Sequence, residues 1–354
     1  MKKKIIVILF MIIILSCTRN NVSVKEFDEF EHKVNLIHTD IITPPVLFMV
    51  GGMVLLDSVL ITVDLKSNTF LQAFKVPTFD YIGGYITKGN GPKEEIFIYP
   101  YMQPIDGNKF LYQCTGKIKI ANFNLVKNEI EVEYNVKLPG KLINLNQAFK
   151  LENLYYGCDL HSKSTQEFVG YNPVNNNIFD FGHTYPKVET KTEGQIRTML
   201  FAKAIAVKPD KSLFACVYDK FPILRIYSKD GTLKTETRYI NDQDFPFALV
   251  ERNPSKDMLD NIMQNYRKVK VTDRFIYALY IGKTQRELNK KGAGLDDFSN
   301  EIHVWDWKGN PIKKILLDEN IFSFCVDPND KYLICSSLNS IDKLYKYTLN
   351  GTKE

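Results

Sequence analysis

Four short apolar segments separated by tight polar turns recur along most of this chain, and that repeat limits the fold more than any other feature. The pattern is clearest between residues 203 and 239. Ala204-Ile205-Ala206-Val207 leads into the turn Pro209-Asp210-Lys211, then into apolar runs at 213–217 and 223–227. Asp230-Gly231 and a last run over 233–239 complete the unit. Aspartate-glycine between two strand-like runs is a strong hairpin signal, because both residues tolerate the positive φ that tight hairpin turns demand. Four antiparallel strands joined in this way make one blade of a β-propeller.

The same order recurs at 46–75, with Gly51-Gly52 as first turn and Lys66-Ser67-Asn68 before the last strand. It recurs at 102–136 around Asp106-Gly107-Asn108 and Lys127-Asn128, and at 146–181 around Glu152-Asn153 and Asn175-Asn176-Asn177. Two further units cover 268–317 and 321–354, with Lys308-Gly309-Asn310 and Pro328-Asn329-Asp330 among their turns. The second strands resemble one another: Phe110-Leu111-Tyr112, Leu154-Tyr155-Tyr156, Leu213-Phe214-Ala215, Phe275-Ile276-Tyr277, Tyr332-Leu333-Ile334. A β-sandwich also gives short strands with regular turns, but the fixed order of turns inside each unit points to an all-β, six-bladed β-propeller. Seven blades is the alternative, if residues 76–101 hide another unit. The sixth unit ends just past Asn350-Gly351, which leaves its outermost strand nearly missing. Unpaired sheet edges invite aggregation, and closure by an N-terminal strand within 24–42 is therefore expected.

Three insertions interrupt the repeat, at 76–101, 239–267 and 281–300. In a blade that runs from inner to outer strand, the links between blades and between strands two and three share one face. All three insertions fall there, and long loops on a rigid scaffold are where binding concentrates. The first contains Lys88-Gly89-Asn90-Gly91-Pro92-Lys93-Glu94-Glu95, then Tyr99. It reads as a rigid interblade corner, or as a loop that presents backbone amides to an anion. The second offers Asn253-Pro254-Ser255 as a helix start, with Met258, Leu259, Ile262, Met263 and Tyr266 at helical spacing. The third mixes charges with Gly292 and Gly294 and reads as a solvated loop or a mobile lid.

The N-terminus supplies an address. Lys2, Lys3 and Lys4 precede an unbroken apolar run over 5–15, then Ser16 and Cys17. The run is shorter than the roughly 20 residues that a membrane span needs, and it reads as a secretory signal. Ile14-Leu15-Ser16-Cys17 resembles the cleavage box of bacterial lipoproteins, although Leu15 is bulkier than usual at its position. The expected organisation is a signal peptide over 1–16, a tether over 17–23 lipidated at Cys17, and one propeller domain over 24–354. Thr18 in place of an aspartate, and no acidic cluster after it, favour a periplasm-facing outer-membrane lipoprotein.

Composition removes other classes. Of the 46 lysines and arginines three lie in the leader, which leaves the rest nearly balanced against 41 acidic residues. Nothing here is a nucleic-acid footprint. Five cysteines follow the leader (114, 158, 216, 325 and 335), an odd number without metal-ligand spacing, which suits small buried hydrophobes. No His-Glu-x-x-His, Cys-x-x-Cys, Gly-x-Ser-x-Gly or P-loop string is present. His303 alternates with Ile302 and Val304 as a strand residue, and Trp305 and Trp307 share a strand face suited to blade packing. Asp57, Asp64 and Asp306 sit in or beside strands. Carboxylates that converge on a propeller channel bind calcium or act as acid and base, which is the enzymatic alternative.

Two strings carry a family resemblance. They are Gly89-Asn90-Gly91-Pro92-Lys93-Glu94, and Ile276-Tyr277-Ala278-Leu279-Tyr280-Ile281-Gly282-Lys283 continuing to Ile302-His303-Val304-Trp305-Asp306-Trp307-Lys308-Gly309-Asn310-Pro311. With the lipobox they resemble the TolB-like six-bladed β-propeller lipoproteins of gut anaerobic Gram-negative bacteria. Ile281 stands where a serine is common. The resemblance covers most of the mature chain. It implies six blades and an envelope address, with no established enzymatic role and no agreed catalytic residues. The expected function is a non-enzymatic binding or scaffold module, held to the membrane by its N-terminal lipid and facing an envelope protein, a peptide or a glycan. Its expected contact residues are Asn90, Lys93, Glu94, Tyr99 and Lys283, with no cofactor and no metal. The alternative is a hydrolase or lyase that uses channel carboxylates with a divalent cation.

Overall fold

The computed structural model describes residues 22–159, 164–186, 200–241, 255–289 and 299–349. Three N-terminal strands come first: β1 (Ser23–Phe27), β2 (Lys33–Leu36) and β3 (Thr39–Ile42). Blade one is β4 (Val50–Leu55), β5 (Val59–Asp64), β6 (Thr69–Lys75) and β7 (Asp80–Thr87). Blade two is β8 (Ile98–Pro104), β9 (Lys109–Cys114), β10 (Lys117–Asn124) and β11 (Glu129–Lys137). Blade three is β12 (Leu145–Leu151), β13 (Leu154–Asp159), β14 (Gln166–Asn172) and β15 (Asn177–Thr184). Blade four is β16 (Lys203–Val207), β17 (Leu213–Tyr218), β18 (Ile223–Ser228) and β19 (Leu233–Tyr239). Blade five is β20 (Met263–Val271), β21 (Phe275–Thr284), β22 (Ser299–Asp306) and β23 (Pro311–Ile321). Blade six is β24 (Ser323–Val326), β25 (Tyr332–Ser336) and β26 (Lys343–Thr348), completed by β3.

The inner strands touch in the order β4, β8, β12, β16, β20, β24 and back to β4, which closes a ring of six. Each interface between neighbouring blades has its own apolar cluster. Phe149, Phe168, Phe181 and Phe214 fill the interface of blades three and four, and Tyr266, Ile276 and Trp305 that of blades four and five. Burial of such rings, about 25 cal/mol per Å² of apolar surface, holds the blades together, since no disulfide joins the five described cysteines. The count is six, not seven.

Closure occurs where the sequence places it. β3 pairs antiparallel with β26, from Lys343 opposite Ile42 to Lys346 opposite Thr39. The sequence does not announce β1 and β2, which add in parallel to the outer strands of blades four and five. The N-terminal segment thus walks around the rim from blade four to blade six before it enters blade one. Phe30 pins this belt: it is buried, with ring centroids 4.4 Å from His303 and 5.9 Å from Trp305.

Blade one corrects the sequence reading by one strand. Gly51-Gly52 is not a turn but lies within the inner strand β4. A Cβ on Gly52 would stand 2.4 Å from the Pro100 carbonyl oxygen, so these glycines let the inner strands of blades one and two approach closely. Lys66-Ser67-Asn68 joins strands two and three, and β7 supplies the outer strand from what reads as an insertion. The true insertion shrinks to 88–97. The helix read from a start at Asn253-Pro254-Ser255 through Tyr266 is also shorter: α1 is Lys256–Asp260, and Met263 onward is β20. Ser255 does cap it, its hydroxyl accepting from the Met258 amide at 3.2 Å.

Candidate functional site

The corner at 88–97 is closed on itself. The Gly91 amide donates to Glu94 Oε2 at 2.8 Å, and the Gly89 amide to the Glu95 carbonyl at 3.1 Å. Glu94 lies where a side chain on Gly89 would stand. The two glycine amides that the sequence offers to an external anion are thus taken by oxygens of the loop's own glutamates. Glu95 is buried and ion-paired with Lys119, and Lys88 Nζ donates to the Leu65 carbonyl at 2.8 Å. Asn90 and Lys93 are exposed, while Glu94 and Tyr99 are half-buried. The Tyr99 ring meets Phe97 edge-on at 5.1 Å.

The second and third insertions meet each other. A second short helix, α2 (Gln285–Asn289), follows β21, and its Gln285 amide donates to the Ile262 carbonyl at 3.1 Å. Arg286 of α2 pairs with Asp257 of α1. Lys283, half-buried, stands opposite Gln264 in the ladder. Gly292 and Gly294 of the third insertion, and Asn253 and Pro254 of the second, lie outside the described residues, as do Cys17 and the rest of the leader.

On this loop-rich face, a pocket of about 170 Å³ opens at the channel end between blades three, four and five. Asn146, Gln147, Asp159, Tyr185, Asp219 and Arg267 are among its lining residues. Gln147 has φ of +55° at a bulge in β12, an uncommon conformation for a side-chain-bearing residue, and its Oε1 has no hydrogen-bond partner among the described residues. Asp219 sits 3.1 Å from Arg267 Nε and 3.0 Å from Lys220 Nζ. The site therefore mixes donors and acceptors with the aromatic residues Tyr185, Phe201 and Tyr266 within a small volume.

Glu167 and Lys203, which also line this pocket, belong to a charge cluster. Glu167 on β14 lies 3.0 Å from Lys203 Nζ and 3.2 Å from Arg225, and also accepts from the Tyr218 and Tyr227 hydroxyls. Arg225 goes on to Glu236 at 2.6 Å and to the Thr184 carbonyl at 2.7 Å. Burial pushes the Glu167 carboxyl up, but Lys203, Arg225 and the two hydroxyls outweigh it and hold it below its ordinary value.

Deeper in the channel two lysines stand alone. Lys268 and Lys270 on β20 reach past the inner strand of blade six to blade one, where they donate to the carbonyls of Gly51 and Met53, each at 2.5 Å. Each is half-buried, open to the channel but walled by protein. Burial pushes the Lys268 ammonium down to about 7, helped by Lys270 and Arg267, and pushes Lys270 down to about 8. No carboxylate pairs with either among the described residues.

The aspartates singled out in the sequence do not converge. Asp64 is buried and accepts from the amides of Met49, Lys66 and Ser67; Asp306 accepts from Lys308 and Asn310. Both fix turns, as short acidic side chains do. Asp57 is exposed beside Gly107. His303 is buried and satisfied, 3.0 Å from the Tyr266 hydroxyl and 2.7 Å from Glu301. Trp305 packs in the interface of blades four and five, and Trp307 Nε1 donates to the Thr272 carbonyl. None of the five expected contact residues lines the loop-side pocket: Lys283 stands on β21 opposite Gln264, and the other four stay at the corner between blades one and two. Sequence reasoning missed Gln147, Asp219 and Arg267, and the channel pair Lys268 and Lys270. Period two over Lys268-Val269-Lys270 puts both lysines on one face of β20, but spacing alone does not say what that face meets.

The sequence matches the family TolB-like 6-blade propeller-like over residues 41–329. Among solved structures, a member of the duf4221 family from Bacteroides vulgatus superposes with a TM-score of 0.61 at 10% identity, over 88% of this chain and 96% of that one. A putative exported protein from Bacteroides fragilis superposes at 0.56 and 13% identity, over 92% and 99% respectively. No curated protein matches.

Proposed function

Because this chain belongs to the TolB-like six-bladed propeller family, we propose that it is a non-enzymatic binding module of the cell envelope, whose loop-rich face takes an envelope protein, a peptide or a glycan. One observation carries this reading. The second and third insertions lock together through Asp257 and Arg286 on the face where a pocket holds the strained Gln147 with an unpartnered Oε1. A buried acceptor without a partner costs about 1–3 kcal/mol, and a ligand that donates to it recovers that cost. The family, the leader and the lipobox at Cys17 support an address on the outer membrane, facing the periplasm through a lipid tether. The hydrolase or lyase alternative, with a divalent cation, loses its basis where Asp64 and Asp306 are occupied as turn caps.

The test is a crosslinking pull-down of the tagged, lipidated protein from its native envelope, read by mass spectrometry. One stoichiometric partner is expected, lost in the Gln147→Ala/Arg267→Met variant and retained when Asn90 and Lys93 become alanine. Recovery unchanged by the pocket variant contradicts the pocket's role. For the address, labelled fatty acid enters the wild-type chain and not Cys17→Ser; label in neither contradicts the tether.

A further inference from the structure

The turn-side half of the channel is a separate cavity of about 260 Å³, on the far side of the lysine pair from the loop-side pocket. The inner strands of blades one, two, four, five and six line it, with Leu55, Met102, Val207, Val269 and Val326 as apolar wall. Lys270 is the one cation in that wall, and its Nζ has a single described acceptor, the Met53 carbonyl. An ammonium carries three donors, so two remain. Gln103, a further polar side chain of the lining beside Tyr101, is committed to the backbone of Lys150 through both ends of its amide, at 3.1 and 2.7 Å. Asp57 and Asp106 stand at the mouth, and Asp106 is paired with Lys211 at 3.2 Å.

We propose that this cavity binds a medium-chain aliphatic monocarboxylate, with its head group on Lys270 and its tail along the apolar inner strands. An unpaired ammonium walled by apolar groups is costly, and a counter-ion removes that cost. Lys268, one residue pair away on the same strand, adds a second positive charge behind the head group. The depressed values of both lysines agree with a site that lacks its anion. Size sets the chain length. A cavity of about 150 Å³ holds benzene, so about 260 Å³ suits on the order of ten non-hydrogen atoms, those of octanoate. A dicarboxylate would force its second charge against the apolar wall. This inference does not depend on the loop-face reading.

The test is calorimetric titration of sodium octanoate, octanol and octylamine into the mature chain carrying Cys17→Ser, which keeps lipid and detergent out. Saturable one-to-one binding of octanoate is expected, with octanol at least tenfold weaker and octylamine silent. Lys270→Arg keeps binding within about threefold, and Lys270→Met weakens it at least tenfold while circular dichroism and melting show a folded protein. If Lys270→Met does not fold, the contrast between octanoate and octanol on the parent chain decides alone. Octanoate that fails to saturate, binds no better than octanol, or binds a folded Lys270→Met chain unchanged overturns the proposal.

Discussion

Two charged sites in the interior of this propeller are built on opposite terms. Glu167 between blades three and four is surrounded by two cations and two hydroxyls, and the chain of charges continues through Arg225 to Glu236 and Arg238 at the blade's outer strand. Lys268 and Lys270, on the inner strand of blade five, face carbonyl oxygens and, among the described residues, no carboxylate. The first site answers every charge from within the protein and works as a structural staple across two blades. The second leaves two charges for something else to answer. Glu167 and Lys203 are buried and the two channel lysines half-buried, but it is the presence of counter-charges that separates staple from ligand site.

The largest effect tests the staple. Glu167→Gln leaves Lys203 and Arg225 without their central anion, and removal of one partner of a buried ion pair costs about 3–5 kcal/mol. A fall in melting temperature on that scale, or loss of soluble protein, is expected. Lys203→Met is milder, about 1–3 kcal/mol, because Arg225 and both tyrosines still hold the carboxylate. The held-down Glu167 carboxyl also predicts that its contribution is full above the ordinary carboxylate range and fades as pH falls through its lower folded value; Glu167→Gln removes that acid dependence.

The channel pair predicts a change of opposite sign. Lys268→Met/Lys270→Met removes two uncompensated charges and stabilises the chain by about 1–3 kcal/mol near neutral pH. The smallest effect serves as control. Asp257→Ala or Arg286→Ala breaks an exposed pair and shifts stability by no more than about 0.5 kcal/mol, while partner recovery falls if the two insertions must stay locked. A larger loss of stability would mean that the insertions hold the fold.

The sequence carries the blade plan because hairpin turns are local: Asp230-Gly231 and Lys308-Gly309-Asn310 name their turns without help from distant residues. Closure is also legible, because a blade short of its outer strand must recruit one. What fails has non-local causes. Gly51-Gly52 looks like a turn until Pro100 of the next blade is placed against it. β1 and β2 pair in parallel with strands some 200 and 280 residues away, and no hairpin marks them. Met258, Leu259, Ile262, Met263 and Tyr266 keep helical spacing, yet a position on the innermost strand turns the last two into β20. At the site, Gly91 and Glu94 are recognisable as a loop, but only the fold reveals that the carboxylate occupies the loop's own amide. Neither the loop-side pocket nor the channel lysines can be read from spacing, since each gathers residues from three or more blades.

The most direct test is the melting temperature of wild type and Lys268→Met/Lys270→Met from pH 6 to pH 10. Both lysines have folded values below the ordinary lysine value, so above about pH 7 the folded chain releases protons that the unfolded chain keeps, and stability from these groups rises with pH. Below pH 7 both states are charged and the cost is full. The account predicts a double variant that melts higher at pH 6, by several degrees, with the gap closing toward pH 10. A double variant that melts lower than wild type at pH 6 would mean the lysines are a staple after all, and would contradict the distinction between the two sites.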